Sequence, residues 1–138
     1  MFYLDTSVLV AMFTREARTG SSHDWARRNQ LLAVSDWVTV ELRSAVAAKA
    51  RSGDLDEGLR QEALEAYQAA LRDEFLILDL NSRVFAKAAK LAGNVAAALR
   101  AGDALHLAVA GEYRVPLATL DRRQAEAGQA LGVEALLL

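Results

Sequence analysis

Four acidic residues interrupt apolar runs, where a carboxylate is costly. Asp5 follows Met1-Phe2-Tyr3-Leu4, and Glu41 sits between Val40 and Leu42. Asp103 opens the run Ala104 to Ala110, and Asp121 closes Pro116 to Leu120. A carboxylate withdrawn from water is expensive unless it is paired or bound to a metal. Four such acids, each beside a core-like run, imply one buried negative site built for a cation. Carboxylate oxygens suit hard ions such as Mg²⁺ or Mn²⁺. A divalent ion lowers the pKa of a bound water and polarises a phosphoryl oxygen. Two ions about 4 Å apart clamp both oxygens of an in-line displacement. The chemistry implied is metal-dependent hydrolysis, with a phosphodiester as the natural substrate. No Ser-His-Asp or Cys-His arrangement is needed.

Each acid also has a plainer use: Asp5 as a helix N-cap, Glu41 as partner of a base, Asp103 as a helix-start charge, Asp121 as a turn residue. Thr6, Ser7 and Thr119 flank the acids and can orient a carboxylate or cap a helix. His106 lies one turn after Asp103 and reads as a satisfied interior histidine rather than a ligand. Phe13, Trp25 and Trp37 read as packing residues.

The elements that must hold these acids follow from periodicity and punctuation. Apolar runs at 2–4, 31–34, 75–80, 117–120 and 133–137 predict short strands, the last at an edge. Helices are predicted over 8–13, 21–29, 37–51, 55–73, from 81 or 82 to Gly93, over 102–113 and over 122–131. Gly53 should end the 37–51 helix. The 102–113 helix is apolar all round and should be buried. Strands alternating with helices predict an α/β fold, with helices on both faces of a parallel sheet of four to five strands. In such sheets ligands gather at the carboxyl ends of the strands. Asp5 and Asp121, each predicted to end a strand, should meet there. Glu41 should face inward if Arg43 faces water, since residues two apart on a helix point nearly opposite ways.

The chain has 138 residues, of which 53% are hydrophobic. That is enough for one domain with a full core, here taken as residues 1–138. There is no Cys, which removes disulfides and thiolate zinc sites and allows a reducing cytoplasm. No apolar run approaches the roughly 20 residues that cross a bilayer, so no membrane role and a cytoplasmic location are expected. The net charge of −2 argues against broad electrostatic binding of nucleic acid. It still permits a nuclease whose acids cluster in one pocket.

Tyr-Leu-Asp-Thr-Ser at 3–7, Glu-Leu-Arg-Ser-Ala at 41–45, Asp-Ala-Leu-His-Leu-Ala at 103–108 and Thr-Leu-Asp at 119–121 resemble the PIN-domain family. The nearest likeness is to VapC-type toxins of bacterial toxin–antitoxin pairs. The resemblance implies an α/β/α sandwich and Mg²⁺- or Mn²⁺-dependent endoribonuclease activity leaving a 5′-phosphate and a 3′-hydroxyl. It carries over Asp5, Glu41, Asp103 and Asp121 as the acidic quartet, with Asp5 and Asp103 as direct metal ligands. Glu41 and Asp121 would bind directly or through water, one of them helping to deprotonate the attacking water. It further implies a homodimer and a cognate antitoxin that blocks the site, often with a basic side chain. The antitoxin would lie near helices 8–14 and 37–68, with Val10, Phe13 and Trp37 as candidate contacts. Two rival expectations are a stand-alone PIN ribonuclease of RNA processing and a Mg²⁺-binding domain phosphorylated on Asp5. Ser7, where a phosphatase would carry a second Asp, counts against the latter's phosphatase form.

Overall fold

Short apolar runs bounded by capping residues give strands, and the amphipathic stretches between them give helices. The computed structural model describes residues 1–14, 19–29 and 31–138. Its strands are β1 (Phe2–Leu4), β2 (Leu32–Val34), β3 (Phe75–Ile77), β4 (Leu117–Thr119) and β5 (Ala135–Leu137). They form one sheet in the order β3-β2-β1-β4-β5, and every neighbouring pair is parallel. Tyr3 stands opposite Ala33 on one side and Leu117 on the other. Parallel pairing needs crossovers, supplied by α1 (Thr6–Phe13), α2 (Thr19–Arg28), α3 (Asp36–Ser52), α4 (Glu57–Asp73), α5 (Ser82–Ala92), α6 (Ala101–Tyr113) and α7 (Arg122–Ala130).

The three central strands are buried on both faces: Tyr3, Leu4, Ala33, Val34, Leu117 and Ala118 are wholly inaccessible. The expected three-layer α/β fold is therefore present. The sheet grows outward in both directions from β1 and β4, so its strand order reverses between them. Such a reversal leaves a crevice beyond the carboxyl ends of the two strands, and Asp5 and Asp121 follow those two strands.

Several boundaries differ from expectation for local reasons. β3 stops at Ile77 rather than at residue 80. It is an edge strand, and Leu76 and Ile77 lie open to solvent. α4 begins at Glu57 because Asp56 caps it, accepting from the Leu59 N–H at 2.8 Å. β4 ends at Thr119, so Asp121 lies past the strand as the N-cap of α7. Gly53 closes α3 as predicted, in the left-handed region at φ 83°. Ala104 through Ala110 of α6 are all buried, as its apolar circumference requires, and the helix packs mainly against α5.

Candidate active site

Asp5 begins the site. Its N–H still belongs to the sheet, donating to Ala118 O at 2.9 Å. Its side chain then caps α1, accepting from the Ser7 N–H at 3.2 Å. The same oxygen, Oδ2, accepts from the Ser7 hydroxyl and from Thr119 Oγ1, the latter at 2.9 Å. Ser7 Oγ in turn accepts from the Leu120 N–H at 3.0 Å, and Thr119 Oγ1 accepts from the Asp121 N–H at 3.0 Å. Two hydroxyls thus stitch the start of α1 to the turn after β4.

Asp121 caps α7, its Oδ1 accepting from the N–H groups of Arg123 and Gln124 at 2.8 and 3.2 Å. Asp103 stands in the first turn of α6, and its Oδ2 accepts from the Arg100 N–H at 3.3 Å. Asp5 thus caps a helix and Asp103 opens one, as their sequence positions suggest. Asp121, expected as a turn residue, is an N-cap. All three sit at helix ends where a negative charge is favoured. Glu41 comes from the middle of α3 and faces inward while Arg43 is exposed, as expected. Its Oε2 accepts from Thr6 Oγ1 at 2.6 Å and meets His106 Nε2 at 2.7 Å.

All four acids line one cleft of about 390 Å³, together with Thr6, Ser7 and His106. They are not equally buried, which corrects the expectation of four interior acids. Asp5 is buried, Glu41 and Asp103 are half-buried, and Asp121 is exposed. The reason is topological: Asp5 leaves a central strand directly, whereas Asp121 stands one turn further out. Among the described residues no group of three or more His, Asp or Glu side chains is arranged to hold a metal ion as it stands. Protein donors occupy the carboxylates instead.

The interior imidazole of this cleft is His106, and sequence reasoning underrated it. The residue is satisfied and interior, as expected, but two of its partners are the acids themselves. Nε2 lies 2.7 Å from Glu41 Oε2 and 3.2 Å from Asp5 Oδ1. Nδ1 lies 3.0 Å from the Tyr3 hydroxyl, which pairs with Ser35 Oγ at 2.7 Å. Burial alone would lower the His106 pKa, yet the Glu41 hydrogen bond and the charges of Asp5, Glu41 and Asp103 raise it. Burial alone would likewise raise Glu41. The His106 hydrogen bond and charge, with Thr6 and Trp37, hold it below its ordinary value instead. The Trp37 indole N–H is buried and meets full hydrogen-bond geometry to no acceptor among the described residues, yet it stands close enough to Glu41 to favour the ionised form. Burial pushes Asp103 up against the lowering Arg100 N–H, and the charges of Asp121 and Asp5 add to the rise. The Asp103–His106 spacing was the sequence signal for this arrangement. Tyr3 and Ser35 carried none, since their partner is distant in the chain.

The residues expected to pack do so. Trp25 meets Phe2 edge-on at 5.1 Å between ring centres, and Phe13 meets Tyr67 at 5.7 Å. Val10, Phe13 and Trp37 are half-buried against the core.

Fold and cleft together define a parallel α/β domain with an acidic cluster at its topological switch point. The family model described as the PIN domain matches residues 2–130. The chain belongs to the PIN-domain family. Among solved structures it resembles VapC20 of Mycobacterium tuberculosis, described as a sarcin–ricin loop cleaving toxin, at 20% identity and a TM-score of 0.74, over 93% of this chain and 95% of that one. It resembles VapBC2 of Rickettsia felis, bound to a DNA fragment from its promoter, at 15% identity and 0.71, over 100% and 99%. It also resembles VapBC-5, a toxin–antitoxin family member from M. tuberculosis, at 23% identity and 0.64, over 99% and 98%. At these identities the likeness is one of fold. No curated protein sequence matches the chain significantly. No helix among the described residues is long and apolar enough to cross a membrane.

Proposed function

We propose that the chain is a Mg²⁺- or Mn²⁺-dependent endoribonuclease acting as the toxin of a type II toxin–antitoxin pair. The observation that carries this is the convergence of Asp5, Glu41, Asp103 and Asp121 on one cleft in a PIN-family fold. The donors fit a hard divalent ion. All are carboxylates, and Asp103 is already raised by burial and by its acidic neighbours, a conflict that a cation relieves. Asp5 and Asp103 would hold the ion, with Glu41 and Asp121 completing its surroundings directly or through water. Once bound, the ion would supply an acidified water and neutralise charge on the phosphoryl group.

The chain's own residues set the stage for that chemistry. Ser7 and Thr119 fix Asp5 through one oxygen, and Thr6 and His106 fix Glu41 through one. Backbone N–H groups do the same for Asp103 and Asp121. Each carboxylate is thereby oriented before any ion arrives, which is how supporting hydrogen bonds act at metal sites. Glu41, held low by His106, stays ionised as a ligand. Either Glu41 or Asp121 would help to deprotonate the attacking water. Water adds to phosphorus, the bond from phosphorus to the bridging 3′ oxygen breaks, and the products are a 5′-phosphate and a 3′-hydroxyl.

Two features of the similar structures support the biological role: one is described as a sarcin–ricin loop cleaving toxin, and two belong to toxin–antitoxin systems. The partner is then a cognate antitoxin whose basic side chain satisfies the carboxylates in place of the ion, on a toxin that works as a homodimer. Purified protein incubated with total RNA, with and without Mn²⁺, tests the chemistry. Metal-dependent cuts bearing 5′-phosphates are expected, and no cutting in either Mg²⁺ or Mn²⁺ ends the nuclease assignment. Cutting without growth inhibition on expression would place the chain in RNA processing instead.

A further inference from the structure

Beside the acid cleft lies a second cavity, of about 130 Å³, lined by two of the four acids and by residues that the cleft does not include. The two are contiguous, since Asp103 and Asp121 line both. Leu99 gives the smaller one an apolar wall, and the exposed Arg100 and Arg123 stand at its mouth. Gln124, from the first turn of α7, is also part of the lining. Its side chain is only 2% exposed, yet neither its amide nitrogen nor its amide oxygen has a hydrogen-bond partner among the described residues. Buried polar atoms in native proteins are almost always paired, and each exception calls for a reason. The neighbouring inward positions of α7 are the apolar Ala125 and Gly128. An aliphatic side chain at 124 would suit that face and leave nothing unpaired.

We propose that this cavity is a nucleotide pocket. It receives the base of an RNA nucleotide next to the scissile phosphate, and Gln124 reads the edge of that base. The proposal rests on the ribonuclease assignment above. Its chemistry is selective. A primary amide offers a donor and an acceptor side by side, the pattern that pairs with a base edge through two hydrogen bonds. A bare phosphate would leave the amide oxygen unused, and a bare cation would leave the amide nitrogen unused. A base edge uses both. Arg100 and Arg123 supply cations for the phosphates on either side, in a chain whose overall net charge is −2. The shared walls put a base in this pocket adjacent to a phosphate held over the quartet.

Binding and cleavage are tested separately. The purified protein is titrated with the 5′-monophosphates of adenosine, guanosine, cytidine and uridine while the Gln124 side-chain amide is followed by NMR. A saturable shift is expected, with dissociation constants differing by about tenfold or more between best and worst base. Gln124→Leu removes the polar atoms at similar volume and should abolish that discrimination. Gln124→Glu keeps an acceptor, loses the donor, and should change which base is preferred. In parallel, mapped RNA cut ends from the wild type should show the same base preference beside the cut. An amide that responds to no nucleotide, or equal discrimination by Gln124→Leu, shows that the cavity holds only water and overturns the proposal. Discriminating binding without any metal-dependent cutting would sink the nuclease assignment and leave the pocket standing. Cutting with no base preference, together with indifferent binding, would do the reverse.

Discussion

Glu41 Oε1 fills the space that a side chain on Gly102 would need: a methyl group there would lie 2.5 Å from that oxygen. The Trp37 indole nitrogen would lie 3.6 Å from the same point. The bare backbone at the start of α6 thus lets α3 bring its carboxylate into the cleft, a close approach that only glycine permits.

Gly102→Ala should separate activity from stability. Glu41 is the far end of a flexible side chain, so it yields rather than the backbone. Alanine favours a helix over glycine by up to about 1 kcal/mol, so the melting temperature should hold or rise. A carboxylate displaced by roughly 1 Å costs about a hundredfold in rate. Calorimetry and initial rates of RNA cleavage check both parts. A fully active Gly102→Ala would show that Glu41 is not needed where it stands.

Asp103→Asn should stabilise the metal-free protein. Burial and the charges of Asp121 and Asp5 raise the folded carboxyl above its ordinary 3.8. A raised acid binds its proton more tightly when folded, so stability is lost as pH climbs from the ordinary value through the raised one, and the loss stays constant above it. Asparagine removes the cost while still able to accept from the Arg100 N–H. The gain should be absent well below pH 3.8 and fully present at pH 7. Mn²⁺, which should stabilise the wild type by preferential binding to the folded state, should stabilise the variant far less. Equal Mn²⁺ stabilisation of the two proteins would remove Asp103 from the ligand set.

Much of this was legible in the sequence, because strands and caps are local. Asp5, Asp121 and Gly53 sit at the ends of their elements, and the all-apolar surface of α6 foretold its burial. The convergence of Asp5 and Asp121 followed from a rule about parallel sheets rather than from either residue. What the sequence hid was mostly non-local. Tyr3 and His106 are 103 positions apart, and nothing near either announces the other. The space beside Gly102 belongs to α3. Gln124 looked like any polar residue on a surface helix until burial left its amide unpaired. The length of β3 was misjudged because Leu78 and Leu80 carry the apolar pattern on past Ile77, the last residue in register with β2.

Tyr3→Phe tests the buried chain that runs from Ser35 through Tyr3 and His106 to Glu41. Removing the hydroxyl leaves Ser35 Oγ and His106 Nδ1 unpaired in the interior. Each such orphan costs about 1–3 kcal/mol. The two together predict a loss of about 2–6 kcal/mol in urea unfolding, with the m-value unchanged. Cleavage should fall as well, since His106 loses the contact that sets its ring beside Glu41. A variant as stable as the wild type would mean that Tyr3 is only packing.

Gly128 governs how closely α7 approaches the sheet, and so where Asp121 and Gln124 stand. A methyl group there would lie 2.8 Å from Leu107 Cδ2, 3.1 Å from Ala135 Cβ and 3.3 Å from Val133 O. Leu107 is wholly buried, so none of these neighbours can yield cheaply. Gly128→Val should therefore cost about 1–3 kcal/mol by overpacking and should lower cleavage by tilting α7. Gly132 provides the control. It holds φ 76° with nothing within 4 Å of an added carbon, so Gly132→Ala costs about 1–2 kcal/mol through backbone strain alone. It lies beyond α7 and lines neither cavity, so its cleavage rate should be unchanged once the protein is folded. Urea midpoints matched between the two variants, with activity lost only in Gly128→Val, would tie the pose of α7 to the chemistry. Equal activity in both would break that tie.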